Sequence, residues 1–212
     1  MVWLNAASTI KYPANFARDT IRIEVEGEVY FERSKDSSHH FLISVNAGAT
    51  ADKATNANAV NGHRSTIDAQ PSSGININTY PGNGEMLVTL IRGAATANLD
   101  SGETHIEHPF QLLNGKMALI VHDTLALTRD VDTTEIIAWK NGELYYKEAD
   151  LSVMMPAIAK WYDVDIEYPG RIPDKKFGLR VPRSAPLSEV LDSLQKQGLH
   201  ITRKGKSLII WK

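Results

Sequence analysis

Between Leu151 and Tyr168 the spacing of apolar positions changes period. Leu151, Met154, Met155, Ile158, Trp161 and Tyr162 fall at the i, i+3, i+4, i+7 intervals of one helical stripe. From Val164 the period is two. Val164, Ile166 and Tyr168 point one way and Asp163, Asp165 and Glu167 the other, as in a half-buried strand. Pro169-Gly170 then turns the chain. The same order recurs downstream. Leu187, Val190, Leu191 and Leu194 repeat the helical stripe, Gly198 stands where a C′ glycine ends a helix, and LHITR returns as a strand. With ELYY before them, KKFGLRV between them (Phe177, Leu179 and Val181 on one face) and SLIIWK after the Lys204-Gly205-Lys206 turn, these elements predict a small α/β module of order β-α-β-β-α-β-β. Pro156 falls inside the first helix, where it removes a backbone donor at a cost of about 3 kcal/mol in a regular interior. The stripe keeps its phase through the proline, so a kinked helix is expected rather than a late start.

Upstream the pattern is all β. Val2-Trp3-Leu4 is a short strand. IRIEVEG alternates, with Ile21, Ile23 and Val25 inward and Arg22, Glu24 and Glu26 outward, and EVYF and HFLISV follow at short spacing. Residues 46–74 are rich in Ala, Asn, Thr, Ser and Gly without periodicity, and read as a long, mobile surface loop. The loop has no aromatic anchor, which favours a tolerated insertion over a binding loop. ININTY, the turn Pro81-Gly82-Asn83-Gly84 and MLVTLIRGAATANL resume the strands. A hairpin is expected at Asn114-Gly115, with Met117, Leu119 and Val121 on one face. Asp132-Thr133-Thr134-Glu135 resembles a capping box with Asp in the capping position. It would start a short helix through Ile136, Ile137 and Trp139 that Asn141-Gly142 ends. The expected organisation is therefore α+β in two domains: an all-β domain over 1–131, roll or solenoid-like, a helical connector over 132–142, and the α/β module over 143–212.

Composition adds little to this picture. With 42% hydrophobic and 23% charged residues, the 212-residue chain is that of an ordinary folded protein. The net charge of −2 gives no global reason for nucleic-acid or membrane binding, but it conceals an asymmetry. Residues 1–142 carry 11 Lys+Arg against 16 Asp+Glu, and residues 143–212 carry 12 against 9. The absence of cysteine excludes disulfides, zinc thiolates and cysteine nucleophiles. No apolar run is long enough to span a bilayer. The start lacks the basic and apolar regions of a signal peptide and reads as mid-strand, so the sequence is expected to be a fragment of something longer.

Candidate chemistry is sparse. His105, Glu107 and His108 are metal-ligand types, but on a strand His108 opposes the other two, and Pro109 disfavours a regular helix. His39 and His40 diverge in the same way. His63 lies in the long loop, and His122 and His200 are isolated. Glu24, Glu26 and Glu28, like Asp163, Asp165 and Glu167, read as solvated strand faces, and Met154-Met155 as core. There is no nucleophile elbow, phosphate loop or dinucleotide fingerprint. No catalytic, metal or cofactor-binding residue is therefore expected. Arg171, Lys175, Lys176, Arg180 and Arg183 cluster about the third strand of the module. Phe177 is the one aromatic near them in sequence, so a salt-sensitive protein-docking surface fits better than nucleic acid.

Longer stretches carry a resemblance. VWLNAASTIKYPANF, IEVEGEVYFE, HFLISV, ININTYPGNGEMLVTLIRGAATA and LLNGKMALIV resemble the FecR domain of bacterial anti-sigma regulators. VDTTEIIAWKNGELYY looks like the connector of its Bacteroidota branch. Residues 150–210, with WYDVDIEY and APLSEVL in order, resemble the C-terminal domain that follows in that branch, which is similar to the short N-terminal domain of secretins and TonB-dependent receptors. The family's usual cytoplasmic sigma-binding segment, transmembrane helix and first strands have no counterpart here, and the 46–74 loop is longer than usual. Gln70-Pro71-Ser72-Ser73 replaces an expected glycine-containing strand.

The resemblance implies the periplasmic part of an inner-membrane regulator. It would bind the N-terminal signalling domain of an outer-membrane TonB-dependent transducer through the C-terminal module, and control an extracytoplasmic-function sigma factor. If SLIIWK is an open sheet edge, Leu208, Ile209, Ile210 and Trp211 would pair with a partner strand, with Trp211 as anchor and Lys176 and Arg180 nearby. Two other readings compete. A glycan-binding or adhesive β-domain would need two of Trp3, Tyr12, Tyr30 and Tyr80 coplanar on the surface. A hydrolase would need two close carboxylates in a deep pocket.

Overall fold

The structure is a computed structural model that describes residues 1–15, 19–35, 39–46, 64–82, 85–99, 109–121 and 124–211. It divides into two compact units, Met1–Ile136 and Ile137–Lys212. Each has a hydrophobic core of its own.

The first unit holds two six-stranded sheets. One runs in the order β1 (Val2–Leu4), β4 (Glu28–Glu32), β7 (Gly74–Gly82), β8 (Glu85–Arg92), β11 (Lys116–Val121) and β12 (Thr124–Asp130). The other runs β10 (Phe110–Leu112), β9 (Ala95–Asn98), β6 (Arg64–Ala69), β5 (His40–Asn46), β3 (Thr20–Glu26) and β2 (Thr9–Lys11). From β5 onward the chain alternates between the sheets two strands at a time, and the inward residues of both form one core. The chain thus winds back and forth between two layers. Ile21, Ile23 and Val25 fill the core as their alternation predicts.

Four local expectations are corrected. RSTIDA is no loop: β6 pairs with β5 on one side and β9 on the other, with Ile67 and Ala69 fully buried. Its inward face is mostly small, so the apolar period is faint. Residues 47–63 of the same stretch lie outside the described residues. Asn114-Gly115 closes no hairpin; β10 and β11 belong to different sheets, and Gly115, at φ +73°, carries the chain across. On β11 it is Ala118 and Ile120, two residues apart on one face, that join the core, and not the Met117, Leu119, Val121 set. Glu28 does not continue the Glu24–Glu26 face. Gly27 breaks the strand at φ +90°, a conformation L side chains rarely adopt. Glu28 then enters the opposite sheet at 8% exposure, where its carboxyl accepts from Asn5 Nδ2 (2.6 Å) and Asn76 Nδ2 (3.1 Å).

Asp132 caps a single helical turn, α1 (Thr133–Ile136), by accepting the Thr134 N–H (2.9 Å). A 3-10 turn, Ala138–Asn141, follows and ends at Gly142 in the left-handed region.

The second unit runs β13 (Glu143–Ala149), α2 (Leu151–Tyr162), β14 (Asp165–Glu167), β15 (Phe177–Pro182), α3 (Leu187–Lys196), β16 (His200–Lys204) and β17 (Ser207–Trp211). β13 and β15 form an antiparallel ribbon, and the other three strands form a sheet of order β14-β17-β16. Leu151, Met154, Met155 and Ile158 of α2 and Val190 and Leu194 of α3 pack with Phe177, Leu179, Val181, Leu208 and Ile210 in one core. α2 begins at Leu151, so Pro156 is an interior residue. Gly198, at φ +91°, follows α3 as its spacing predicts.

Candidate docking surface

The last strand is not an edge. β17 lies between β14 and β16, pairing Ile166 with Leu208 on one side and Ile201 with Ile210 on the other. Leu208, Ile209 and Ile210 are buried, because a central strand of a covered sheet carries a continuous apolar run. An edge at Leu208–Trp211 is therefore corrected. Trp211 alone of the four is exposed, at 42%.

Helix α3 closes two other edges. Gln197, just past its last turn, accepts the Gly178 N–H at Oε1 (3.0 Å) and donates from Nε2 to the Gly178 carbonyl (2.7 Å). A side-chain amide thus stands where a neighbouring strand's peptide would stand beside β15. Nε2 also donates to Ser193 O, and Lys175 Nζ to Gln197 O. Two residues earlier, Gln195 Nε2 donates to the Ile201 carbonyl of β16 (3.1 Å). Gly178 has no side chain for a steric reason: a Cβ there would press on Lys147 O at 3.0 Å, where the β13–β15 register shifts.

The basic cluster stacks on aromatic rings. Alternation turns Phe177, Leu179 and Val181 inward and leaves Arg180 outward, opposite Tyr145 on β13. The Arg180 guanidinium lies 4.7 Å over the Tyr145 ring and 3.2 Å from the Glu143 carboxylate. Arg183 lies 3.6 Å over Trp161, donates to Trp139 O (3.2 Å), and accepts at its own carbonyl from Trp161 Nε1 (3.0 Å). Trp161, expected in the core stripe, is accordingly 38% exposed. Tyr162 Oη beside it donates to Ala185 O, and burial raises its pKa above the ordinary value. Lys175 lies over Phe177. Lys176 and Arg171 are exposed. Arg183 with Trp161 and Trp139, and Arg180 with Tyr145, are pairings that linear sequence hides. The signal that could have found them is the outward alternation of ELYYK against FGLRV.

The aromatic set of a glycan platform does not assemble on the first unit. Trp3 and Tyr30 meet edge-on at 5.4 Å, and Tyr30 is buried. Tyr80 reaches inward to Ala6 O and Ser8. Tyr12 is the exposed member of the four. Residues 105, 107 and 108 lie outside the described residues, as do His63 and His122. Among the described residues no three His, Cys, Asp or Glu side chains are grouped to hold a metal ion. No helix among them is long and apolar enough to cross a membrane.

Two β-α-β halves around one core, with stacked arginines outside, define the second unit as a small α/β module. Residues 143–210 match the family described as "FecR, C-terminal". Two solved structures of a candidate anti-sigma factor from Parabacteroides distasonis cover 100% of this chain and 89% of their own, with TM-scores of 0.75 and 0.74 and 20% identity. At that identity the likeness is one of fold. No curated protein matches the chain.

Proposed function

We propose that this chain is the receiving region of a periplasmic signal relay. In this reading it belongs to a FecR-type anti-sigma regulator anchored in the inner membrane. Residues 143–212 bind the N-terminal signalling domain of an outer-membrane TonB-dependent transducer, and the consequence passes to an extracytoplasmic-function sigma factor. The chain carries out no catalysis. The observation that carries the reading is the FecR C-terminal domain itself, at 143–210, with arginines stacked on aromatic rings over its outer surface. Half-exposed aromatic–arginine pairs are the residue types that dominate protein interfaces. The match of both solved structures over the whole chain agrees with this reading.

Calorimetric titration of the full chain with the signalling domain of the transducer encoded beside it tests the proposal. Micromolar or tighter binding is expected. Arg180→Glu reverses an exposed charge and is expected to weaken binding about tenfold, with a steeper loss at low salt. Trp211 and Lys176 are exposed on the same module, and Trp211→Ala and Lys176→Glu report whether they contribute. Absence of binding by the wild-type chain rejects the transducer as partner.

A further inference from the structure

In the first unit β12 is the last strand of its sheet and pairs with no described strand beyond β11. Every residue of β12 except Leu125 is exposed. Open edges are commonly blunted by proline or lysine, and β12 carries neither. Its two charges, Arg129 and Asp130, stand together at one end, and Asp130 is paired with Lys116 at 2.9 Å. The ladder to β11 is regular from Leu127 to Asp130, and the register shift lies outside that stretch. The shift also puts Leu125 and Leu127 on opposite faces. Leu125, opposite Ile120, packs on the core. Leu127 stands beside Leu119, and Leu119 beside Leu87, so a row of leucines crosses the outer face of the sheet. The row is half-buried at Leu87 and Leu119 and ends at the edge with Leu127 50% exposed.

We propose that a second copy of this chain adds at this edge, β12 against β12, antiparallel about a two-fold axis through Leu127. The hydrogen-bond phase permits it. Val131 N donates to Gly115 O (3.1 Å), and the register then makes Met117–Arg129 and Leu119–Leu127 the hydrogen-bonded pairs of β11 and β12. Thr128 therefore turns its N–H outward, where it meets the outward carbonyl of Ala126 in the second copy, and the two-fold repeats that bond. Leu127 faces itself as a non-hydrogen-bonded pair, the kind whose side chains come closest. The leucine row then runs without a break into the row of the copy. Arg129 comes opposite Leu125 and Asp130 opposite Thr124, so no like charges meet. An axis through Thr128 would set Leu127 against Arg129 and break the row, and one through Arg129 would oppose two arginines. The strand that continues this edge must present a leucine between small residues, and β12, with Ala126 and Thr128 about Leu127, is such a strand. The two-fold uses up the edge in both copies, so the assembly closes at a dimer. The inference stands apart from the receptor reading, which places partner binding on the second unit.

Sedimentation velocity of the full chain from about 10 µM to about 1 mM is expected to pass from monomer to dimer, because one strand ladder buries less than a standard interface. Leu127→Lys sets two ammonium groups opposite each other and is expected to weaken the dimer at least tenfold, on the order of the cost of opposed like charges, with the urea midpoint unchanged. The chain has no cysteine, so Leu127→Cys introduces a single thiol. Under an oxidant at dimer concentration that variant is expected to cross-link to itself, whereas Thr128→Cys, opposite Ala126, is not. A wild-type chain still monomeric at about 1 mM overturns the proposal. So does a dimer that Leu127→Lys leaves intact, or cross-linking through Thr128→Cys rather than through Leu127→Cys.

Discussion

Tyr168 carries a phenol whose Oη is buried and meets no hydrogen-bond partner among the described residues. Burial is the whole cause of its raised pKa. A buried hydroxyl without a partner costs about 1–3 kcal/mol of desolvation, so Tyr168→Phe is expected to stabilise the protein by about 1 kcal/mol in urea unfolding. The sign of the pH effect follows. A phenol with a raised folded-state pKa favours the fold fully below 10.0, the unfolded value, and that contribution is lost as pH rises through the folded value. Tyr30 acts in the same direction, first through burial and then through the charge of Glu32. Thermal melts above pH 10 should therefore fall less steeply in Tyr168→Phe than in the wild type. An equal fall would mean that Tyr168 ionises unhindered.

Among elements, α3 does more than fill the core. Gln197→Ala removes the two bonds that close β15 at Gly178 and a third to Ser193, and is expected to cost about 1–2 kcal/mol. The Gly178 amide should then exchange at the rate of an open edge; continued protection would mean that another group covers it. Elements with a strong period are legible in the sequence: α2, α3, β3 and β15 lie where their apolar stripes put them. β6 is not, because Ser65, Ile67 and Ala69 offer one large side chain in three, and a central strand packed between neighbours does not need more. The corner at Gly27 is hidden too. Glu24, Glu26 and Glu28 alternate without a break, and only the positive φ of one glycine moves the third into the opposite sheet. The edge misassigned to Leu208–Trp211 has the same origin. A terminal strand is not an outer strand when a parallel partner, β14, arrives from earlier in the chain.

At the scale of the molecule, the two cores share no residue. The second core draws on every strand and both helices of its own unit, so residues 137–212 are expected to fold when produced alone, with a cooperative melt and native-like near-ultraviolet signal. Dye binding and a melt without a transition would show that the module depends on the rest of the chain. The candidate docking surface is legible only in part. The basic residues of 171–183 are visible in the sequence, but Tyr145, Trp139 and Trp161 come to them from separate elements, and spacing along the chain says nothing of a partner 35 residues away across a ribbon, as at Tyr145 and Arg180.

The placement of Gln195 and Gln197 also limits how this chain can change over evolutionary time. Both depend on the phase of one ten-residue helix. Inserting a single residue upstream within α3 would rotate both amides by about 100° and unseal β15 and β16 in one step. A length change that most surface helices absorb would here yield two exposed templates for pairing between like chains. Descendants of this sequence should accordingly vary in length between β5 and β6, while α3 keeps its residue count.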